Sequence, residues 1–199
     1  LLIPEGTKYQ PGSCVPTFSA TFDNSKKNGG AHRECTHGKV LGLGELGRTE
    51  KFSEDQQNFC FATSYFENNE VEYQSIPEPG KFRIITKGKG NLYTGLRPLQ
   101  RFLLNEWKNL PISTMTDDCV ERIQYRMYSD EVEFRDDGEW FISGDYSAAT
   151  DSIYSDATLV VIRRIIKNLG LENTLIGERA IASFTHCIVN YPDGSAIPM

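Results

Sequence analysis

The sequence predicts a mixed α/β fold, because segments with strand periodicity alternate with segments of helical periodicity. Residues 81–86 (KFRIIT) largely alternate charged and apolar side chains, and residues 96–110 repeat apolar side chains at helical spacing. A second predicted strand, 139–144 (EWFISG), is followed after an acidic turn by another helical pattern. With 39% hydrophobic and 11% aromatic residues among 199, the chain can bury a core, which excludes disorder as a global description.

The first strand and helix are predicted in most detail. The period of two in the strand places Lys81 and Arg83 on one face, with Phe82 and Ile84 on the opposite face. The helix over 96–110 is amphipathic, and the proline that follows it is expected to end it.

Caps and helix breakers predict the remaining elements. Asp156 is expected to cap a helix that Gly170 ends. A further helix is expected over 172–184, and a turn over 191–194 (YPDG). Residues 1–50 are rich in Gly, Pro, Ser and Asn without a sustained period, so we expect loops with short elements there.

Positive charge is concentrated in one segment of an acidic chain. Residues 79–105 carry six basic side chains and no acidic one, which leaves 15 basic and 27 acidic residues elsewhere. The net charge of −6 argues against a protein that coats nucleic acid over its whole surface. The basic segment indicates either a surface that meets an anion or a solvated face.

Two motif matches lack the context that their function needs. Residues 42–47 fit GxGxxG without a preceding strand, which favours a glycine-rich loop over a dinucleotide site. Cys14, His32, Cys35 and His37 are poorly spaced for a zinc site. The five cysteines include no CxxC pair, so reduced thiols are expected. No apolar run approaches the roughly 18 residues of a membrane span, and no membrane segment is expected.

Residues 143–153 (SGDYSAATDSI) carry the strongest chemical signal. Asp145 follows the predicted strand 139–144 directly, and Asp151 comes six residues later across a run of small residues. Hard Mg²⁺ prefers oxygen ligands, so the two carboxylates are suited to a two-metal phosphoryl-transfer site. The alternative is a helix N-terminus in which Asp151 is a cap and Asp145 is hydrogen-bonded in a turn.

Residues 143–153 resemble motif A of the RNA-dependent RNA polymerases of positive-strand RNA viruses, particularly the ourmia-like, narna-like and phage-replicase branch. Residues of about 78–102 resemble the basic motif F of the same branch, at the right distance before motif A. Residues 22–30 (FDNSKKNGG) resemble a less distinctive Ser-basic-Gly-Gly stretch near the template entry of ourmia-like polymerases.

The resemblance implies a partial right-hand polymerase fold, with fingers over 1–138 and the early palm over 139–199. Motif B and the Gly-Asp-Asp of motif C are not found, and the Asp-Asp pairs at 117–118 and 136–137 both precede motif A. We therefore expect the chain to be a fragment that ends before motifs B and C, inactive as a polymerase by itself.

The resemblance also implies roles for the motif A residues. Asp145 would bind two Mg²⁺ (or Mn²⁺) ions, and the backbone of Tyr146 would complete the metal platform. Asp151 would bind the ribose 2′-hydroxyl of the incoming nucleotide and so distinguish ribose from deoxyribose.

In motif F, the resemblance implies that Lys81 and Arg83 hold the triphosphate, and that Lys87 and Lys89 do the same or guide the template. The expected partners are the RNA template, the nascent strand, ribonucleoside triphosphates and the rest of the polymerase chain, inside a host cell in the cytoplasm or the mitochondrion. Two other classes stay open: a non-catalytic RNA-binding module and another two-metal enzyme such as a nuclease.

Overall fold

A computed structural model describes residues 3–36, 49–65, 69–110, 121, 153–185 and 187–198. These ranges contain helices and a small sheet, which confirms the mixed α/β prediction, while the right-hand arrangement stays a prediction. The helices are η1 (Lys26–Asn28, a 3₁₀ turn), α1 (Gly30–Thr36), α2 (Thr49–Tyr65), α3 (Gly90–Lys108), α4 (Ser155–Asn168) and α5 (Leu175–Ala182). The strands are β1 (Glu70–Glu78), β2 (Lys81–Gly88), β3 (Ile188–Asn190) and β4 (Ala196–Pro198).

The four strands form one sheet in the order β2-β1-β3-β4. β1 and β2 form a long antiparallel hairpin whose register runs from Val71 opposite Gly88 to Glu78 opposite Lys81. β1 pairs in parallel with β3, and β3 pairs antiparallel with β4 through the predicted 191–194 turn. The predicted strand over 81–86 and the turn over 191–194 are therefore confirmed, and the predicted strand over 139–144 lies outside the described residues.

Asn69 joins the sheet to the end of α5. Its side-chain amide donates to the carbonyls of Ala182 and Thr185, each at 3.2 Å. Its own carbonyl accepts from the N–H of Ile188 at 2.9 Å, where β3 begins. These bonds add donors to carbonyls at and just beyond the end of α5, at the point where the parallel pairing of β1 with β3 begins.

The helix predicted over 96–110 is confirmed, but α3 begins earlier, at Gly90. Pro98 lies inside it and has no N–H to donate to the carbonyl of Thr94. The thiol of Cys14 donates to that carbonyl instead, at 3.4 Å. The carbonyl of Gly95 accepts from the side-chain amide of Gln57 at 2.8 Å. Side chains from outside α3 therefore stabilise the turn that contains the proline.

The core lies among α2, α3, α4 and α5. A Cβ at Gly95 would stand 2.6 Å from the ring of Phe61, so the close approach of α3 to α2 depends on this glycine. The fully or nearly buried apolar side chains of the core are Ile3, Phe61, Leu99, Ile166, Leu169, Leu171, Ile176 and Ala180.

α4 ends as predicted but begins differently. Gly170 has a φ of 68° and donates to the carbonyl of Lys167, while Leu171 donates to that of Ile166, which is the glycine-terminated pattern expected of this sequence. The expectation that Asp156 caps α4 is wrong. Tyr154 occupies the cap position. Asp156 lies in the first turn, where its negative charge interacts favourably with the positive end of the helix dipole.

α5 is shorter than the helix predicted over 172–184. The hydroxyl of Thr174 accepts from the N–H of Gly177 at 3.3 Å, so the helix begins at Leu175. Loops with short elements were expected over residues 1–50, and the structure confirms this where it describes them, since short helices follow an extended loop. The GxGxxG segment at 42–47 lies outside the described residues.

Candidate functional site

The structure describes only the basic half of the predicted site. Asp145, Tyr146 and Asp151 lie outside the described residues, so their predicted roles stay predictions. Lys81, Arg83 and Lys87 lie along β2, on the face of the hairpin that also carries acidic side chains of β1, and Lys89 lies directly after the strand. Among the described residues, they divide into an exposed pair and a half-buried pair.

Lys81 and Arg83 form the exposed pair, at the tip of the hairpin. Their side chains are 67% and 60% exposed, and both lie near Glu78. The Arg83 Nε stands 2.9 Å from a Glu78 carboxylate oxygen, and the Lys81 Nζ stands 3.9 Å from the other. Exposed ion pairs contribute little stability, typically about 0.2 to 1 kcal/mol. A phosphate can therefore replace Glu78 as their partner at small cost.

The tip is exposed on its apolar face as well. Phe82 is 74% exposed and Ile84 is 62% exposed, although a period of two usually buries one face of a strand. The tip of the hairpin thus projects from the described body as a two-stranded ribbon, with Lys81 and Arg83 open to solvent.

Lys87 and Lys89 form the half-buried pair, at the base of the hairpin. Lys87 contacts Glu72 across the two strands. The Lys89 side chain is only 16% exposed, and its Nζ donates to both carboxylate oxygens of Asp23 at 3.1 Å. The same ammonium lies 4.1 Å from the ring centre of Phe22. These two cations are held by contacts within the protein.

Lys89 also connects the basic strand to the 22–30 segment. The N–H of Phe22 donates to the carbonyl of Gly88 at 3.0 Å, beside the contacts of Lys89 with Phe22 and Asp23. Two stretches that were singled out separately in the sequence therefore meet in the structure. Sequence reasoning missed this contact, since a separation of 66 residues leaves no local signal.

Glu34 is a second residue that sequence reasoning missed. One of its carboxylate oxygens accepts from the backbone N–H groups of Gly90 and Asn91 at 2.7 and 3.2 Å, and the other accepts from the Thr21 hydroxyl at 2.7 Å. The carboxylate caps α3 and complements the positive end of the helix dipole. It holds α1 against the end of the basic strand.

Three thiols from different elements meet beneath α3. Cys14, Cys35 and Cys60 are buried, and none of them forms a disulfide with another described residue. A hydrogen bond with Cys14 is the main cause that raises the pKa of Cys60 to about 12, and burial adds to it. A hydrogen bond with Cys60, followed by burial, raises the pKa of Cys35. Such thiols stay protonated and unreactive near neutral pH.

The zinc site that the spacing of Cys14, His32, Cys35 and His37 argues against is not tested here, so its absence stays a prediction. His32 stacks on Phe18, and His37 lies outside the described residues. Within the part of the chain that the structure describes, no group of three or more His, Cys, Asp or Glu side chains could hold a metal ion. Over the same residues, no helix is long and apolar enough to cross a membrane.

The chain is similar to a viral polymerase over about half of its length. This relative is the RNA-dependent RNA polymerase of Ourmia melon virus (isolate Melon/Iran/VE9), which is 33% identical over 97 residues. The aligned region covers 47% of this chain and 11% of the viral enzyme, so the chain spans about a tenth of its relative. No protein-family model matches the sequence, and no solved structure matches the fold. The similarity supports a relationship to a viral RNA-dependent RNA polymerase.

Proposed function

We propose that this chain is part of an RNA-dependent RNA polymerase of a positive-strand RNA virus of the ourmia-like branch, and that it takes part in RNA-templated RNA synthesis. The observation that carries the proposal is the 33% identity to the Ourmia melon virus polymerase over 97 residues. The motif A pattern at 143–153 and the basic hairpin supply independent chemical support.

The hairpin tip suits the triphosphate of an incoming nucleotide. Lys81 and Arg83 share one face, are mostly exposed, and among the described residues form ion pairs with Glu78. Their charge can stabilise the negative charge that develops on the leaving pyrophosphate. Lys87 and Lys89 must first leave Glu72 and Asp23 to bind a phosphate, so we assign the primary triphosphate contacts to the tip pair.

The motif A residues suit a divalent cation. Asp145 supplies hard carboxylate oxygens, and the backbone carbonyl of Tyr146 supplies another oxygen of the kind that Mg²⁺ or Mn²⁺ prefers. When bound, the ions supply charge stabilisation at the reacting phosphate. Asp151 accepts a hydrogen bond from the ribose 2′-hydroxyl and thereby selects ribonucleotides. Carboxylates from elsewhere in the complete polymerase would complete the site.

The test is RNA-templated incorporation of ATP and dATP by the complete polymerase that contains these residues. Asp145→Asn removes a charge from the metal site and should abolish incorporation. Asp151→Asn should keep residual activity and lower the ATP-to-dATP ratio of kcat/KM by roughly ten- to a hundred-fold. Lys81→Ala with Arg83→Ala should raise KM or lower kcat without changing the fold.

Full activity of the Asp145→Asn enzyme would overturn the proposal. Binding of RNA without any metal-dependent synthesis would favour the non-catalytic RNA-binding module instead. The matched control is Glu172→Gln, which changes an exposed carboxylate in the turn before α5 and should leave incorporation unchanged.

A further inference from the structure

An exposed aromatic stack lies beside the first turn of α1. The rings of Phe18 and His32 are nearly parallel, with an angle of 18° and a centroid distance of 4.8 Å. Phe18 is 60% exposed, so the side of its ring that does not meet His32 is open to solvent. An exposed aromatic face of this kind can stack on a planar group.

The backbone holds this stack in place. The segment before α1 accepts from the first helical N–H groups: Ala31 donates to Ser19 at 3.0 Å, and His32 donates to Thr17 at 2.7 Å. Gly30 has a φ of 51°, and a Cβ there would stand 2.1 Å from the carbonyl oxygen of Ser19. The glycine therefore permits the close approach that fixes Phe18 against α1.

Three exposed cations lie in the segment that runs from η1 into α1, close in sequence to His32. Lys26, Lys27 and Arg33 are exposed and form no ion pair with another described residue. The acidic side chains of the same segment, Asp23 and Glu34, already have partners: Asp23 binds Lys89, and Glu34 caps α3. η1 leads directly into α1, since Gly29 ends η1 and its carbonyl accepts from the N–H of Arg33 at 3.2 Å.

We propose that the Phe18–His32 stack is a platform for one unpaired base of single-stranded RNA, with Lys26 and Lys27 contacting the adjacent phosphates. The inference rests on the proposed function and adds a strand-binding site outside the hairpin and the motif A residues. An open ring face beside cations binds unpaired bases without sequence preference, since every base has a π-face. The interior bases of a duplex cannot use the stack, because they already stack on each other on both faces.

The test measures RNA binding by fluorescence anisotropy with the 199-residue chain, without nucleotides or divalent ions. Phe18→Ala should weaken binding of a short unstructured single strand by roughly 5- to 150-fold, with much less effect on a blunt duplex. Phe18→Trp should retain the affinity. Tyr154→Ala is the matched control, because Tyr154 is also a highly exposed aromatic residue, 83% exposed, but lies at the start of α4.

The cations are tested through the salt dependence of the same binding. Lys26→Ala with Lys27→Ala should reduce the slope of log K against log salt by about 1.4, because each single-strand phosphate contact contributes about 0.7. Phe18→Ala should leave that slope unchanged. Circular dichroism confirms the fold of each variant.

The inference is overturned if Phe18→Ala binds the single strand as well as wild type, if it weakens both RNAs equally, or if Phe18→Trp fails to retain affinity in a folded chain. These outcomes are independent of catalysis, because no nucleotide or metal is present. An active Asp145→Asn polymerase would refute the proposed function while leaving the platform intact.

Discussion

The contact between Lys89 and Asp23 is expected to be a structural link that positions the 22–30 segment. A double-mutant cycle isolates it: Asp23→Ala, Lys89→Ala and both together in the 199-residue chain. The control cycle uses Lys81 and Glu78, an oppositely charged pair of the same hairpin whose charged atoms are 3.9 Å apart.

The structure sets the expected magnitudes. The Lys89 ammonium binds both oxygens of Asp23 at 3.1 Å, and its side chain is 16% exposed. Hydrogen bonds between charged groups contribute about 1.5 to 3 kcal/mol when buried. The Asp23 side chain is 44% exposed, so solvent screening lowers the expected coupling to about 1 to 1.5 kcal/mol. The control pair, with Lys81 67% exposed, should couple by less than about 0.5 kcal/mol.

Lys89→Ala should destabilise the chain more than Asp23→Ala does. The lysine also loses its cation–π contact with Phe22, at 4.1 Å, which contributes about 0.5 to 1 kcal/mol. Phe22→Leu removes this contribution while retaining an apolar side chain. In a chain that carries Phe22→Leu, Lys89→Ala and Asp23→Ala should therefore differ less in the free energy of unfolding that each one loses.

The assay is urea unfolding, with the free energy of unfolding obtained at a constant m-value. Added salt should weaken the control pair more than the Lys89 pair, because screening acts most on exposed charges. The reasoning is refuted if the coupling between Lys89 and Asp23 is no larger than that between Lys81 and Glu78.

Two further predictions concern the α3 cap and the buried thiols. Glu34→Gln should lower the free energy of unfolding by about 1 to 2 kcal/mol, because the α3 N-terminus loses its charge-assisted cap. Urea unfolding measures this change, with Glu172→Gln as the control. Equal free energies of unfolding for the Glu34→Gln and Glu172→Gln variants would contradict the prediction. Stability should fall as pH rises from about 9 toward 12. The fold raises the pKa of Cys60 to about 12 from an ordinary 9.0, so the unfolded chain releases this proton first. The urea midpoint should therefore decline over this range and decline less in Cys60→Ala, and an unchanged decline in the variant would refute the assignment.

Local periodicity was sufficient to predict much of the secondary structure. The strand over 81–86 and the helix over 96–110 depend on which face each side chain occupies, and that follows from spacing along the chain. Gly170 was recognisable as a helix end because glycine adopts positive φ without steric cost, whatever surrounds it. The cations of the hairpin, including Lys81 and Arg83, could be read from the sequence for the same reason.

Only the tertiary structure decided which of those cations are exposed at the hairpin tip and which are half-buried in contacts with other elements. Asp23 and Glu34 lie more than fifty residues from their partners at the end of β2 and the start of α3. Such pairings depend on how the elements pack, and periodicity carries no information about them. α3 begins at Gly90 because the Glu34 carboxylate caps its first N–H groups, and Pro98 is accommodated because Cys14 donates to the carbonyl that the proline leaves without its helical donor.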